Sequence, residues 1–448
     1  MKRIFALAAA ALVSLGAFAQ NGGLDSLMLQ TIRQGYTSSP ADKAVRNALN
    51  AVALNTIAVN AENAAMIDTE FSDRVKTVGI TDQKQSGRCW LFTGLNVLRA
   101  AAISGHDLGK FQFSQSYNFF YDQLEKANLF LQAIIDTKDL PIDDRQVDWL
   151  LSNPISDGGT WTGVANLVMK YGVVPAEVMP ESFIANSTSQ MATQLKTILR
   201  QDALKLREAK CPKCAGKLKV EMLSEIYRIL CLAYGEPPVE FEWKGKTYTP
   251  QEFYAEFVGF DLNNNYVMLM NDPSREYNKL YEIQYDRHLY DGDNWLYLNL
   301  PIDRIKEMAI ASIKDGNAMY FSCDVGKFLD RKKGVADLAN FDYESLLGVQ
   351  FTMDKKQRIQ THASGSSHAM TLIAVDLKDG KPVKWMVENS WGETAGYKGN
   401  IIMTDEWFDE YMFRLVVERK YIPEDLLPLL DQEPVQLPAW DPMFLGEE

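Results

Sequence analysis

The feature that most constrains this chain is a single cysteine placed where a loop becomes a helix. Cys89 follows a polar loop that begins at Gln83 and contains a glycine. After it, apolar residues recur at the spacing of one helix face, until Gly105 offers a stop: Leu91, Leu95, Leu98 and Ala102. We therefore expect Cys89 near a helix N-terminus, where partial positive charge favours the thiolate. The thiolate is the form that attacks carbonyl carbons.

A side-chain amide stands close to this cysteine in the sequence. Gln83 precedes Cys89 by six residues, and its N–H groups can reach the same point. A donor beside a nucleophile stabilises the negative oxygen that forms during acyl transfer. Gln83 is therefore a candidate for an oxyanion hole.

A cysteine nucleophile needs a general base, and the chain offers only four histidines. His368 directly precedes an apolar run typical of a buried strand, from Met370 to Val375. It is the candidate base. We interpret His362 as a loop residue, His106 as a solvated residue beyond a helix end, and His288 as a surface or interfacial residue among polar neighbours.

A third group must orient the imidazole, and Asn389 can supply it. Asn389 begins the motif Asn-Ser-Trp-Gly, in which Trp391 would shield the hydrogen bond from water. Taken alone, this motif is also compatible with a turn. It gains weight because it follows Gln83, Cys89 and His368 in a fixed order.

These motifs resemble those of the papain-like cysteine peptidases, and the wording from Gln83 to Trp90 is most similar to the bleomycin hydrolase/aminopeptidase C branch. The resemblance implies an α+β, papain-like two-lobed fold. One lobe would be helical and the other β-barrel-like, with a large helical insertion and a C-terminal tail in the cleft. It also implies catalytic roles for Cys89, His368, Asn389 and Gln83, with no cofactor and no metal.

The same resemblance assigns substrate contacts. Gly158 and Gly159 would line the cleft and bind substrate backbone, because glycines allow close approach. An ordinary turn is the alternative for this pair. Trp391 is the third expected contact.

The end of the chain resembles the tail of bleomycin hydrolases in residues 437–443, Leu-Pro-Ala-Trp-Asp-Pro-Met. In that family the tail blocks the cleft, and its terminal carboxylate holds the free amine of the substrate. We therefore expect Glu448 to contact substrate, although the chain ends on two acids instead of a small apolar residue. Prolines at 434, 438 and 442 favour an extended path. The alternative is a disordered acidic tail.

Chain length sets the expected organisation. His368 lies 368 − 89 = 279 residues after Cys89, whereas papain-type enzymes place it about 130–150 residues later. An insertion must separate the two halves. The predicted parts are an N-terminal arm (20–77), a helical lobe (78–180), a helical insertion (181–310), a β lobe (311–430) and the tail (431–448).

The first 19 residues read as a signal peptide. Lys2 and Arg3 precede an apolar run that ends in Ala-Phe-Ala at position 19. A transmembrane anchor is the alternative, but the run is shorter than the roughly 20 residues a span needs. We expect an exported protein, periplasmic or secreted, without a membrane anchor.

Composition excludes some function classes. A formal net charge of −13 gives no indication of a nucleic-acid partner.

Five cysteines are an odd number, so at least one stays unpaired in an exported protein. Cys211 and Cys214 form a Cys-x-x-Cys motif that we interpret as a surface loop whose thiols can join. Half a zinc site and a redox pair are the weaker alternatives.

The predicted activity is that of a cysteine aminopeptidase acting on peptides with a free N-terminus, and on amide analogues such as bleomycin. An endopeptidase on the same fold is the alternative if the tail leaves the cleft open. A scaffold that kept the fold without catalysis is a further alternative. The family resemblance implies a homohexamer.

Overall fold

The computed structural model describes residues 22–63 and 68–444. The predicted signal peptide at 1–19 and the predicted substrate contact at Glu448 lie outside these residues. The helices are α1 (Ser26–Gly35), α2 (Pro40–Leu49), α3 (Leu54–Ile57), α4 (Cys89–Gly105), α5 (Gln115–Asp136), α6 (Arg145–Ser152), α7 (Trp161–Tyr171), α8 (Ser189–Arg207), α9 (Pro212–Tyr234), α10 (Pro250–Phe257), α11 (Ile302–Lys314), α12 (Tyr343–Leu347), α13 (Lys355–Gln360) and α14 (Asp405–Tyr411).

The strands are β1 (Asp73–Arg74), β2 (Phe241–Trp243), β3 (Lys246–Tyr248), β4 (Tyr266–Met270), β5 (Lys279–Ile283), β6 (Leu296–Asn299), β7 (Met319–Cys323), β8 (Leu329–Asp330), β9 (Val335–Ala336), β10 (His368–Lys378), β11 (Lys381–Glu388), β12 (Asn400–Thr404), β13 (Met412–Glu418) and β14 (Val435–Leu437). The chain divides into two compact units. None of the described helices is long and apolar enough to cross a membrane.

The smaller unit contains the described residues 22–60 together with 341–350. It is built from α1, α2, α3 and α12, and none of these helices buries a residue. Ser39 caps α2 in a reciprocal capping box with Asp42, which satisfies two backbone donors at the helix start. The backbone N–H of Asp342 donates to the Ala58 carbonyl at 2.7 Å and joins the two segments of this unit.

The larger unit contains the described residues within 61–340 and 351–444. Its helical part is centred on α4, whose predicted apolar face is confirmed: Leu91, Leu95, Leu98 and Ala102 are all buried. Helix α4 packs against α5 and α7. At Gly94 an added Cβ would lie 2.5 Å from Val164 Cγ2, so only glycine allows this close approach of α4 and α7.

The other part of this unit is a twelve-stranded sheet. Its order is β14-β5-β6-β4-β13-β7-β10-β11-β12-β9-β8, and β1 also pairs with β10. The strands predicted after His368 and before Asn389 are confirmed as β10 and β11, which pair antiparallel. Helix α4 packs directly on β10. This contact brings the cysteine helix to the strand that begins with His368.

The segment 181–310 supplies the helices α8, α9 and α10, most of α11, and also strands. Its β4, β5 and β6 join the large sheet, so the segment is not purely helical. Periodicity indicated the helices but not these three strands. The thiols of Cys211 and Cys214 are joined in a disulfide at the start of α9. No cluster of potential metal ligands occurs among the described residues.

Candidate active site

Cys89 is the first residue of α4, and its side chain is buried. The residue before the helix, Arg88, has φ −107° and makes no side-chain cap. The N–H groups of Leu91 and Phe92 both donate to the Arg88 carbonyl at 3.0 Å. The N–H of Cys89 lies at the positive end of the helix, next to the Cys89 sulfur.

Gln83 is held by the loop around it and by the segment after Asn389. Its Oε1 accepts a hydrogen bond from Ser390 Oγ at 2.6 Å, and its Nε2 donates to the Ser86 carbonyl at 2.7 Å. Its backbone N–H donates to the Ser390 carbonyl at 2.8 Å. A primary amide carries two N–H donors, so one remains for an oxyanion.

His368 and Asn389 are brought together by the pairing of β10 with β11. The distance from His368 Nε2 to Asn389 Oδ1 is 2.8 Å, and the same Oδ1 accepts from the Ser390 backbone N–H at 2.8 Å. Both side chains are buried. With Nε2 bonded to the amide oxygen, the nitrogen that can exchange a proton with Cys89 is Nδ1.

Trp391 covers this pair. Its ring centroid lies 4.9 Å from that of His368, at an interplanar angle of 32°. Asp82, on the loop before Gln83, forms an antiparallel bridge with Trp391. The loop that carries Gln83 is thus bonded to the segment that carries Asn389, and Cys89 follows that loop directly in the sequence. The catalytic roles of Cys89, His368, Asn389 and Gln83 stay a prediction.

The cleft has a volume of about 490 Å³. Its walls come from the Gln83–Gly87 loop, from His368 and Trp391, and from Asp157. Gly158 and Gly159 directly follow Asp157 and are buried. Asp324 also lines the cleft, and burial raises the pKa of its carboxyl although Ser364 donates to it at 2.8 Å.

The glycine at 159 has a packing role that sequence reasoning missed. A Cβ there would lie 2.3 Å from His288 Cε1 and 2.7 Å from Trp90 Cδ2. The missing side chain makes room for two rings behind the cleft wall. A substrate contact through the backbone of Gly158 and Gly159 stays a prediction.

The interpretation of His288 as a surface or interfacial residue is wrong. The residue is 3% exposed, and its Nδ1 lies 2.5 Å from Asp122 Oδ1. The polar residues before it suggested exposure, but the ring fits into space left by Gly159 and Gly163. His362 and His106 are exposed, as predicted.

Arg88 is a second residue that the sequence did not reveal. Its guanidinium is fully buried and bonds Glu181 with two nitrogens, at 3.2 and 2.6 Å. Its Nε donates to Ser86 Oγ at 2.9 Å, and Ser86 Oγ in turn donates to the Gln83 carbonyl at 2.7 Å. The buried guanidinium of Arg88, bonded to Glu181 and to Ser86, therefore holds the loop between Gln83 and Cys89 in place.

The tail follows a defined path as far as Phe444. It first adds β14 to the sheet edge beside β5. Three arginines then hold it: Arg145 stacks over Trp440 at 4.2 Å, Arg275 pairs with Asp441, and Arg414 donates to the Met443 carbonyl at 2.6 Å. Phe444 packs edge-on against Trp149, with ring centroids 4.9 Å apart.

Phe444 lines a pocket of about 500 Å³ that also includes Ser366 and Ser367. These serines immediately precede His368. The described tail therefore ends in a pocket adjoining the candidate general base. The extended path that the prolines indicated is found only in β14. The chain then turns, with the Asp441 N–H donating to the Pro438 carbonyl at 3.0 Å, and ends in a 3-10 helix at Pro442–Phe444.

Comparisons with known proteins agree with this geometry. The model of the Peptidase C1-like family matches residues 23–444. The chain is 40% identical over 449 residues to bleomycin hydrolase of Homo sapiens, covering 94% of this chain and 98% of that protein. It is 39% identical over 419 residues to aminopeptidase G of Lactobacillus delbrueckii subsp. lactis, covering 91% and 96%.

A solved structure shows the same fold. The crystal structure of PepW from Lactobacillus rhamnosis HN001 superposes with a TM-score of 0.90 at 35% identity, covering 95% of this chain and all of that one. The predicted papain-like fold and the resemblance to the bleomycin hydrolase/aminopeptidase C branch are confirmed. This chain belongs to the Peptidase C1-like family.

Proposed function

We propose that the protein is a cysteine-type aminopeptidase that removes N-terminal residues from peptides. The observation that carries the proposal is the tail: it is held by three arginines and enters the pocket adjoining His368. In this proposal the tail closes one side of the cleft, so that the cleft accepts the end of a peptide and refuses its interior. Relatives named aminopeptidase and bleomycin hydrolase support the same activity.

The reaction begins with the thiolate of Cys89 and the imidazolium of His368. The sulfur attacks the amide carbon, and the carbonyl oxygen becomes negative. The Cys89 backbone N–H and the remaining N–H of Gln83 donate to that oxygen. His368 Nδ1 gives its proton to the leaving amine, and the C–N bond breaks to leave a thioester.

Water then completes the turnover. His368 accepts a proton from the water, whose oxygen attacks the thioester carbon. The carboxylic acid leaves, and the thiolate returns. Throughout, Asn389 Oδ1 holds the ring through Nε2, while Trp391 covers that hydrogen bond.

The tail supplies selectivity in this proposal. A carboxylate at the chain end, at Glu448, pairs with the protonated α-amine of the substrate. An N-acetylated substrate lacks this charge and carries extra bulk toward the tail. Bleomycin, which one relative's name gives as its substrate, is a further candidate through its amide group.

Two properties of the whole protein belong to the same proposal. The first 19 residues act as a signal peptide and direct export to the periplasm or the medium. The family resemblance further supports a homohexamer. Mass determination of the mature N-terminus tests the first, and light scattering of the purified protein tests the second.

A matched pair of amino-acid amides tests the activity. One carries a free α-amine and the other is N-acetylated, and both are incubated with the wild type and with Cys89→Ala. Cleavage of the free-amine substrate alone, lost in the variant, is the expected result. Equal cleavage of both substrates would show an open, endopeptidase cleft, and full activity in Cys89→Ala would overturn the mechanism.

A further inference from the structure

A buried charged cluster lies directly behind the cleft wall. It consists of Asp122 and Lys126, one turn apart on α5, and of His288 from the segment before β6. Asp122 Oδ2 lies 3.0 Å from Lys126 Nζ, and Asp122 Oδ1 lies 2.5 Å from His288 Nδ1. All three residues are buried. Burying three ionisable groups is costly unless each of them is paired.

The charges in this cluster follow from its surroundings. Burial raises the pKa of Asp122, but Lys126 and His288 outweigh it, and the net pKa is lowered. Burial and the nearby Lys126 lower the pKa of His288, against the opposing effect of Asp122. Asp122 is therefore ionised and His288 neutral, with Nδ1–H donating to the carboxylate. One carboxylate then balances one ammonium.

The ammonium has further partners, and they lie in the cleft wall. Lys126 Nζ donates to the Gly158 carbonyl at 2.6 Å and to the Ser156 carbonyl at 3.0 Å. The carbonyl between them, that of Asp157, accepts from Trp90 Nε1 at 2.7 Å. Gln123 Nε2 also donates to the Ser156 carbonyl at 3.0 Å. Three consecutive carbonyls are thus fixed from behind, by Lys126, by Gln123 and by the residue next to Cys89.

Shape completes the arrangement. The ring of Trp90 meets that of His288 edge-on at 4.6 Å, and Lys126 Nζ lies 5.3 Å from the Trp90 ring centroid. No Cβ fits at Gly159, because it would clash with His288 and Trp90. The wall segment 156–159 therefore packs closely against this cluster.

We propose that Lys126, held by Asp122 and His288, is a positioning residue that fixes segment 156–159 as the surface on which substrate backbone binds. The inference rests on the proposed function, since it assigns part of the binding of that same substrate. It adds residues from α5 and from the segment before β6 to the determinants of the cleft. Lys126 acts through the wall and does not touch the reacting atoms.

The test uses variants that remove the ammonium. Lys126→Met keeps the length of the side chain. Asp122→Asn/Lys126→Met also removes the carboxylate, which would otherwise be buried without a positively charged partner. Lys306→Met is the control, because Lys306 is buried and its Nζ lies 2.7 Å from Asp405 Oδ2, with no contact to the wall. KM and kcat are measured, with hydrogen exchange of peptides spanning 154–161 and iodoacetamide labelling of Cys89.

In the double variant we expect KM to rise about tenfold, the order that a hydrogen bond from a charged donor contributes. Exchange of the wall should become faster, while labelling of Cys89 and kcat stay near wild type. Lys306→Met should change none of these. An unchanged KM, or unchanged exchange of the wall, would overturn the proposal. Slower labelling of Cys89 would also overturn it, because the cluster would then act on the nucleophile.

The readout separates this inference from the proposed activity. Each value is compared with wild type on whichever of the free-amine or N-acetylated amides the wild type hydrolyses. Cleavage of the acetylated substrate alone would count against the aminopeptidase. The ratio of variant to wild-type KM would still test the role of Lys126.

Discussion

Two buried histidines of this protein have different partners. His368 and His288 are each 3% exposed, and each has one ring nitrogen close to a side-chain oxygen. The oxygen belongs to the neutral amide of Asn389 in the first case. In the second it belongs to the ionised carboxylate of Asp122, which also contacts an ammonium.

The partner determines what each ring can do. A neutral amide orients His368 without fixing its charge, so the imidazole can take and give a proton during each turnover. The Asp122–Lys126 pair is already charge-balanced, so a proton added to His288 would leave a net positive charge buried. The partner oxygen therefore makes one histidine a base and the other a structural donor, whereas burial alone does not distinguish them.

The largest effect is expected from removing the base. His368→Ala should lower kcat by about three orders of magnitude or more, because proton transfer to and from the substrate is lost. His288→Asn keeps a donor near Asp122 and should change mainly KM. Steady-state kinetics of both variants measure the difference. Equal losses of kcat would remove the distinction between the two sites.

The next effect concerns Arg88, which fixes the loop between Gln83 and Cys89. Arg88→Met leaves Glu181 without its guanidinium partner and should lower the free energy of unfolding by about 3 kcal/mol. Denaturant titration measures it. The control is Lys246→Ala, which breaks the exposed pair with Glu256 and should leave the free energy of unfolding close to that of the wild type. If Lys246→Ala lowered the free energy of unfolding as much as Arg88→Met, burial would not be what makes the Arg88–Glu181 pair stabilising.

Gln83 offers a finer test of the catalytic region. Gln83→Ala removes one donor to the developing oxyanion and should lower kcat by about 10²-fold. KM should stay near wild type, because the oxygen becomes negative only after binding. Single-turnover rates and labelling of Cys89 check the assignment. A change confined to KM would place Gln83 in substrate binding instead.

The smallest expected effect is on the free energy of unfolding, and it comes from a buried lysine that lies outside the sites of His368 and His288. Lys355 donates to Asn271 Oδ1 and to two backbone carbonyls, all uncharged oxygens, whereas Lys126 contacts a carboxylate. Burial lowers the pKa of Lys355 from 10.5 to about 7. Between these values the unfolded chain holds a proton that the folded chain has lost, so stability rises with pH.

From pH 7 to pH 8.5 this group should add about 1.5 kcal/mol to the free energy of unfolding. Denaturant titrations at several pH values, compared between wild type and Lys355→Met, isolate the contribution. The rise should be absent from the variant. A difference between the two proteins that stays constant across this range would show that Lys355 keeps its proton when folded.

The candidate catalytic residues could be proposed from the sequence because their signals are local. The spacing of Leu91, Leu95 and Leu98 predicts the helix after Cys89, and the apolar run from Met370 predicts the strand at His368. The four predicted catalytic residues carry their motifs within a few positions. The order of these motifs along the chain then indicated the fold.

The cluster behind the wall was not predictable, because its parts are distant in sequence. His288 lies 288 − 122 = 166 residues from Asp122, and nothing near it indicates burial. The space for its ring is left by Gly159 and Gly163, which have no side chains. One signal was present: Asp122 and Lys126 stand four apart within a helix that is otherwise largely buried.

The most direct test of the central claim, that His368 and not His288 activates Cys89, is the rate of Cys89 alkylation by iodoacetamide at pH 5.5. Mass spectrometry resolves Cys89 from the other thiols. A thiolate paired with an imidazolium persists well below the ordinary thiol pKa of about 8.5. The account predicts fast labelling in wild type and in His288→Asn, and slow labelling in His368→Ala. Fast labelling in His368→Ala, or slow labelling in His288→Asn alone, would contradict it.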